Sequence, residues 1–147
     1  MVSKRAYHHK NLRQKGQSLV EFALVLPLLL VLIITAIELG RLFYTQIVIT
    51  NAAREGAYYL ATHFEDPKAA TNATDGAEAE AANSGIPAVN VGFDPASGWQ
   101  PDEKVTVTVD TTVTDVLIVG FLGNIFSITS SNNSFDLSAS VEMMVQP

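Results

Sequence analysis

The chain has 147 residues, enough for one ordinary domain, and 48% of them are hydrophobic whereas only 16% are charged. It contains no cysteine, which excludes disulfides, thiol nucleophiles and cysteine-ligated metal sites. The net charge of −6 argues weakly against a nucleic acid partner. The low share of charged residues suggests instead that part of the apolar sequence faces a membrane or a protein partner.

Basic residues are concentrated at the N-terminus. The first sixteen positions hold five of the nine basic residues and no acidic one: Lys4, Arg5, Lys10, Arg13 and Lys15. The rest of the chain has four basic residues against fifteen acidic ones, a formal charge of −11. Such an asymmetry across an apolar segment predicts a cytoplasmic N-terminus and an extracytoplasmic C-terminal part.

The apolar segment follows this basic leader. Residues 22–37 are uncharged, and Leu19 and Val20 extend the run to roughly the ~20 residues that a membrane-spanning helix needs. A buried core helix is the alternative, but a chain of this length offers little protein to cover it. A cleaved secretory signal is disfavoured because the run is too long and no small-x-small site follows it.

Glu21 is the one charge inside the apolar stretch. An ionised carboxylate in lipid costs at least about 2.5 kcal/mol, so it usually marks a functional position, although Glu21 could also reach back to the cytoplasmic interface. The sequence KGQSLVE at residues 15–21 resembles the processing site of type IV pilin-like precursors. That resemblance implies cleavage between Gly16 and Gln17 by an inner-membrane prepilin peptidase. It makes Glu21 the fifth mature residue, which would set subunit registry by pairing with a neighbour's amine.

The apolar helix is predicted to continue beyond the membrane. From Leu39 onward, apolar or small residues recur at helical spacing, and no proline follows until Pro67, so we expect helix to His63. Glu38 and Arg41 are three residues apart and could form an ion pair at the outer boundary or remain two independent surface charges.

Four small residues in this continuation predict close helix packing. Ala52, Ala53, Gly56 and Ala57 would allow another backbone to approach, either from the same domain or from a neighbouring subunit. Good helix propensity alone is a weaker explanation for these small residues, because a glycine such as Gly56 costs about 1 kcal/mol inside a helix.

Three segments in order, GQSLVEFALVLPLLL, ELGRLFYT and TNAAREGA, are similar to the TadE-like family of the bacterial tight-adherence (Tad) system. The resemblance covers about residues 14–62. It implies a minor pseudopilin that a prepilin peptidase cleaves and that takes part in assembly of Flp-type pili. Its implied partners are that peptidase, other pilin or pseudopilin subunits, the Tad assembly machinery and membrane lipid.

The remaining sequence predicts a small α+β domain. A short helix is expected over residues 67–83 and strands over 88–93, 104–113 and 135–145; the last two alternate apolar and polar residues. The expected fold is a long N-terminal membrane-spanning helix whose outer half packs against a small antiparallel sheet, as in pilins.

The predicted organisation therefore has four parts. Residues 1–16 form a cytoplasmic leader, 17–40 a transmembrane helix, 41–64 its extramembrane continuation and 65–147 an acidic outer domain. The outer domain carries twelve acidic residues against two basic ones.

No catalytic, cofactor or metal site is predicted. Two of the three histidines fall in the leader, and His63 lacks a partner at metal-ligand spacing; no phosphate-binding glycine loop or GxSxG motif occurs. The loop at residues 94–103 holds three acids that calcium could use, but it matches no EF-hand pattern and a solvated loop is preferred: Asp94, Asp102 and Glu103.

The run VLIVGFL at residues 116–122 has two interpretations. It is either buried between sheet and helix, or it is an exposed contact for another subunit or the bilayer surface.

The sequence thus predicts a minor pseudopilin, neither an enzyme nor a nucleic acid-binding protein, that is anchored in the inner membrane and can be incorporated into a surface pilus. The alternative is an uncleaved single-pass membrane-anchored binding module.

Overall fold

A computed structural model describes residues 11–114, 117, 120 and 134–147, with side chains from residue 16 onward. Five elements follow one another: α1 (Asn11–His63), α2 (Ala69–Asn83), β1 (Asn90–Asp94), β2 (Lys104–Thr114) and β3 (Ser134–Met144). The chain divides into two compact units, Met1–Ile37 and Glu38–Pro147. The predicted α+β class, with a long apolar helix and a small antiparallel sheet, is confirmed.

The first unit contains the N-terminal part of α1. The segment Gly16–His63 is long and apolar enough to cross a membrane, and no part of its most apolar window is buried by protein. In the described part of the chain α1 begins at Asn11, and Leu, Arg, Gln and Lys in its first turns all favour helix.

The second unit contains the sheet, whose strand order is β1-β2-β3 with both pairs antiparallel. Asn90 is paired with Asp110 across β1 and β2, and Lys104 with Met144 across β2 and β3. The valines of β2 are buried and alternate with threonines that are more exposed, as predicted: Val105, Val107 and Val109. The three strands begin and end within two residues of the predicted bounds.

The core lies between the sheet, α2 and the outer part of α1. The side of α2 that is buried presents only alanines, four residues apart: Ala69, Ala73, Ala77 and Ala81. Because alanine has no side chain beyond Cβ, α2 can approach its neighbours closely. Larger side chains come from α1 and β2, including Ile49, Leu60 and Val107, each fully buried.

Gly76 offers a stabilising substitution within α2. A Cβ at this position would meet only Glu55 Cγ, at 3.8 Å, which is ordinary van der Waals contact. Since glycine destabilises a helix interior relative to alanine, we expect Gly76→Ala to raise the unfolding free energy by about 0.5–1 kcal/mol. Urea denaturation of the full chain in detergent, followed by Trp99 fluorescence, would measure it. A lower unfolding midpoint would contradict the packing described for this face of α2.

Candidate processing and subunit-packing sites

The predicted processing segment lies on an exposed part of α1. The Gln17 side chain donates a hydrogen bond from Nε2 to Glu21 Oε1 at 3.2 Å, one helical turn away. Gly16, Gln17 and Glu21 are all exposed, and among the described residues beyond its own helical turn no atom lies within 4 Å of a Cβ built on Gly16. The structure therefore places Gln17 beside Glu21.

Gly16 lies within the helical part of α1. A protease that binds extended chain must first unwind this part of α1. Glycine reduces that cost, because it is about 1 kcal/mol less favourable than alanine in a helix. Cleavage after Gly16 stays a prediction.

The four small residues of the predicted packing segment lie in the core of the second unit. Ala52, Ala53 and Ala57 are fully buried. A Cβ at Gly56 would lie 3.3 Å from Val107 Cγ1, and also 3.4 Å from the Ala73 carbonyl oxygen and 3.5 Å from Ala77 Cβ. The sequence left open whether this face meets the same chain or another subunit; in the structure α2 and β2 of the same chain occupy it.

Glu38 and Arg41 form the predicted ion pair, with Arg41 Nη2 3.3 Å from Glu38 Oε2. The sequence did not predict that Glu38 would be buried, with only 3% of its surface exposed. Its Oε1 accepts a hydrogen bond from the Leu117 backbone N–H at 3.2 Å, while Arg41 Nη2 donates to the Thr114 carbonyl at 2.9 Å. Glu38 and Arg41 therefore bind both the end of β2 and Leu117 to α1.

An apolar stripe remains exposed on the outer part of α1. Leu39, Phe43 and Ile47 follow one another at four-residue spacing, and all three are exposed. Beside them, the Gln46 side chain donates to the Ser138 carbonyl of β3 at 3.1 Å. A shallow apolar groove of about 230 Å³ is lined by Phe43, Gln46, Ile47, Thr50 and Asn51.

The residues considered for metal binding form no metal site in the part of the chain that the structure describes. No group of three or more His, Asp or Glu side chains comes together there. In the 94–103 loop, Trp99 packs edge-on against Phe93 and donates its indole N–H to the Pro95 carbonyl. His63 stacks on Tyr59 with its ring centroid 4.5 Å away.

The outer sheet surface carries an exposed ion pair between Lys104 and Glu142, with Nζ and Oε1 2.6 Å apart. The hydrogen bond from Lys104 and the charge of Glu142 raise the pKa of Lys104 above its usual range.

Comparison with known proteins adds one finding to this geometry. The family model described as TadE-like protein matches residues 16–57. The chain carries a TadE-like domain. No curated protein and no solved structure matches the chain. The TadE-like domain begins at Gly16, ends at Ala57, and relates the chain to the Tad pilus machinery in general.

The TadE-like domain lies entirely within α1, so it includes every predicted site residue but none of the sheet. Two features of the surrounding structure were missed at the sequence level. The buried alanines of α2 recur at every fourth residue, and this spacing is visible in the sequence. The burial of Glu38 has no local signal, because it depends on Leu117, 79 positions later. Residues 116–122 lie outside the described part of the structure except for Leu117 and Gly120.

Proposed function

We propose that this protein is a minor pseudopilin of a Tad-type (type IVc) pilus system, processed by a prepilin peptidase and acting in pilus assembly and adhesion. The observation that carries the proposal is that the TadE-like match begins at Gly16, the residue after which cleavage is predicted. The basic leader before Gly16 and the membrane-spanning length of the helix after it support the same function.

Cleavage would turn an anchored precursor into a subunit with a new charge at its tip. Removing residues 1–16 leaves a free α-amine on Gln17, one helical turn from Glu21. In the full-length chain the Glu21 carboxylate accepts a hydrogen bond from the Gln17 side chain. The mature helix therefore has an amine and a carboxylate close together at the same end.

Glu21 would then set the registry between neighbouring subunits. An apolar helix can slide along another with little change in packing energy, because lipid tails and leucine side chains are equally apolar. A carboxylate in that environment is stabilised when it pairs with the amine of a neighbour. Loss of one partner of a buried pair costs about 3–5 kcal/mol, so only one register is favoured.

Processing can be tested by producing the full chain in a bacterial host with and without the cognate prepilin peptidase. We expect the wild-type chain to lose residues 1–16 only when the peptidase is present, and Gly16→Val to remain uncleaved. Gly40→Val is the matched control, since Gly40 is also a helical, exposed glycine with no atom within 4 Å of a built Cβ. A wild-type chain that stays intact beside the active peptidase would favour the uncleaved anchored binding module.

A further inference from the structure

The unit Glu38–Pro147 exposes large apolar side chains next to the predicted membrane boundary. They are Leu39 and Phe43, one helical turn apart on α1, and Leu117, whose backbone is bonded to Glu38; we call these three side chains the foot. Phe43 is 67% exposed and Leu117 59% exposed. Large apolar side chains that are clustered and exposed usually mark a contact surface.

Glu38 links the foot to the end of the apolar run in the chain. Glu38 directly follows Ile37, the last residue of that run, and the Leu117 backbone N–H is bound to its carboxylate at 3.2 Å. Leu117 is therefore held beside the residue that follows the apolar run, although it is 79 positions further along the chain.

The charge around this point also suits a lipid surface. Glu38 is the acidic residue nearest to the end of the run, and burial removes its carboxylate from the surface. The first turns of α1 beyond the run instead expose Leu39, Phe43, Tyr44 and part of the Arg41 side chain. Membrane proteins enrich tyrosine at the boundary between acyl chains and headgroups, and an arginine near a helix end can extend its cation to the headgroups.

The distances along α1 from Ile37 place Leu39 and Arg41 close to the boundary between acyl chains and headgroups. At 1.5 Å per residue, Leu39 lies ~3 Å and Arg41 ~6 Å beyond Ile37 along the helix axis. The headgroup region adds roughly 5–8 Å to each side of the ~30 Å hydrocarbon core. The foot therefore begins within one helical turn of the end of the apolar run, at the edge of any bilayer that this run spans.

We propose that the foot contacts the outer leaflet of the bilayer, so that the outer domain has a second attachment to the membrane besides its helix. The inference rests on the membrane anchorage in the proposed function and is independent of cleavage. Two attachment points on different elements, α1 and the segment after β2, would hold the outer domain against the lipid surface.

The absence of cysteine makes a direct test possible. Single substitutions Leu117→Cys, Leu32→Cys and Tyr58→Cys in the full chain would each carry one environment-sensitive fluorophore. The three side chains are matched in exposure, at 59%, 57% and 57%. Leu32 lies within the apolar run, and Tyr58 lies on α1 well beyond it. Each labelled protein is placed in phosphatidylcholine nanodiscs containing lipid with a nitroxide near the headgroup, one protein per disc.

We expect the label at Leu117→Cys to be quenched several-fold more strongly than that at Tyr58→Cys, with Leu32→Cys also quenched. Quenching at Leu32→Cys but not at Leu117→Cys would overturn the inference while leaving the anchor intact. A blue-shifted, unquenched label at position 117 would indicate a protein contact and would also overturn it. If none of the three is quenched, membrane anchorage itself fails, and the proposed function fails with it.

Discussion

Replacing Gly56 with leucine is expected to lower the free energy of unfolding by about 3 kcal/mol, the upper part of the usual range for overpacking a core. Even the first added atom, Cβ, would lie 3.3 Å from Val107 and 3.4 Å from the Ala73 carbonyl oxygen. The three remaining side-chain carbons would then have to enter space filled by α2 and β2. Relief requires α2 to move, because alanines at 73 and 77 have no flexible side chain that can turn aside.

The effect of Gly56→Leu can be separated from a general effect of leucine in α1. Gly40→Leu is the matched control, since Gly40 is in the same helix and has no atom within 4 Å of a built Cβ. Urea denaturation of both full-length variants in detergent, followed by Trp99 fluorescence, gives the two midpoints. Equal midpoints would contradict the close approach of α2 and β2 to Gly56.

Replacing Glu21 with alanine is expected to abolish incorporation into pili while leaving membrane insertion intact. Removing the carboxylate leaves the neighbour's amine unpaired, at a cost of about 3–5 kcal/mol per contact. The lower figure already corresponds to about a hundredfold weaker association between subunits. Insertion should not suffer, because the substitution makes the apolar run longer and uncharged.

Quantitative immunoblots of sheared pili and of washed membranes measure the two effects separately. Glu55→Ala is a suitable control, since Glu55 is another exposed acid of α1 but lies outside the apolar run. Normal pili and normal subunit content in the Glu21→Ala strain would contradict a registry role. Loss of the protein from membranes would mean that Glu21 acts in insertion or stability instead.

Most of the fold could be predicted because its signals are local. In residues 104–113 valine alternates with polar residues. This alternation predicts a strand whose valines face the core, and β2 is such a strand. The apolar run and the absence of proline between Leu39 and Pro67 defined α1 up to His63, and α1 continues through Pro27.

The candidate site was less predictable, because its properties depend on contacts between distant residues. Four small residues indicated close packing, but only the register of α2 shows that the Ala73 carbonyl faces Gly56. The spacing of Glu38 and Arg41 allowed either an ion pair or two independent surface charges. That Glu38 is buried and holds Leu117 follows from the return of β2 to α1, which no pattern within either segment encodes.

The mature N-terminus of the protein, isolated from the membranes of its native host, tests the central claim most directly. Intact-mass and N-terminal peptide mass spectrometry would identify the first residue present. A chain that begins at Gln17, either free or with its N-terminus modified, is the expected result. A chain that retains residues 1–16 in a host with an active prepilin peptidase would contradict the pseudopilin function.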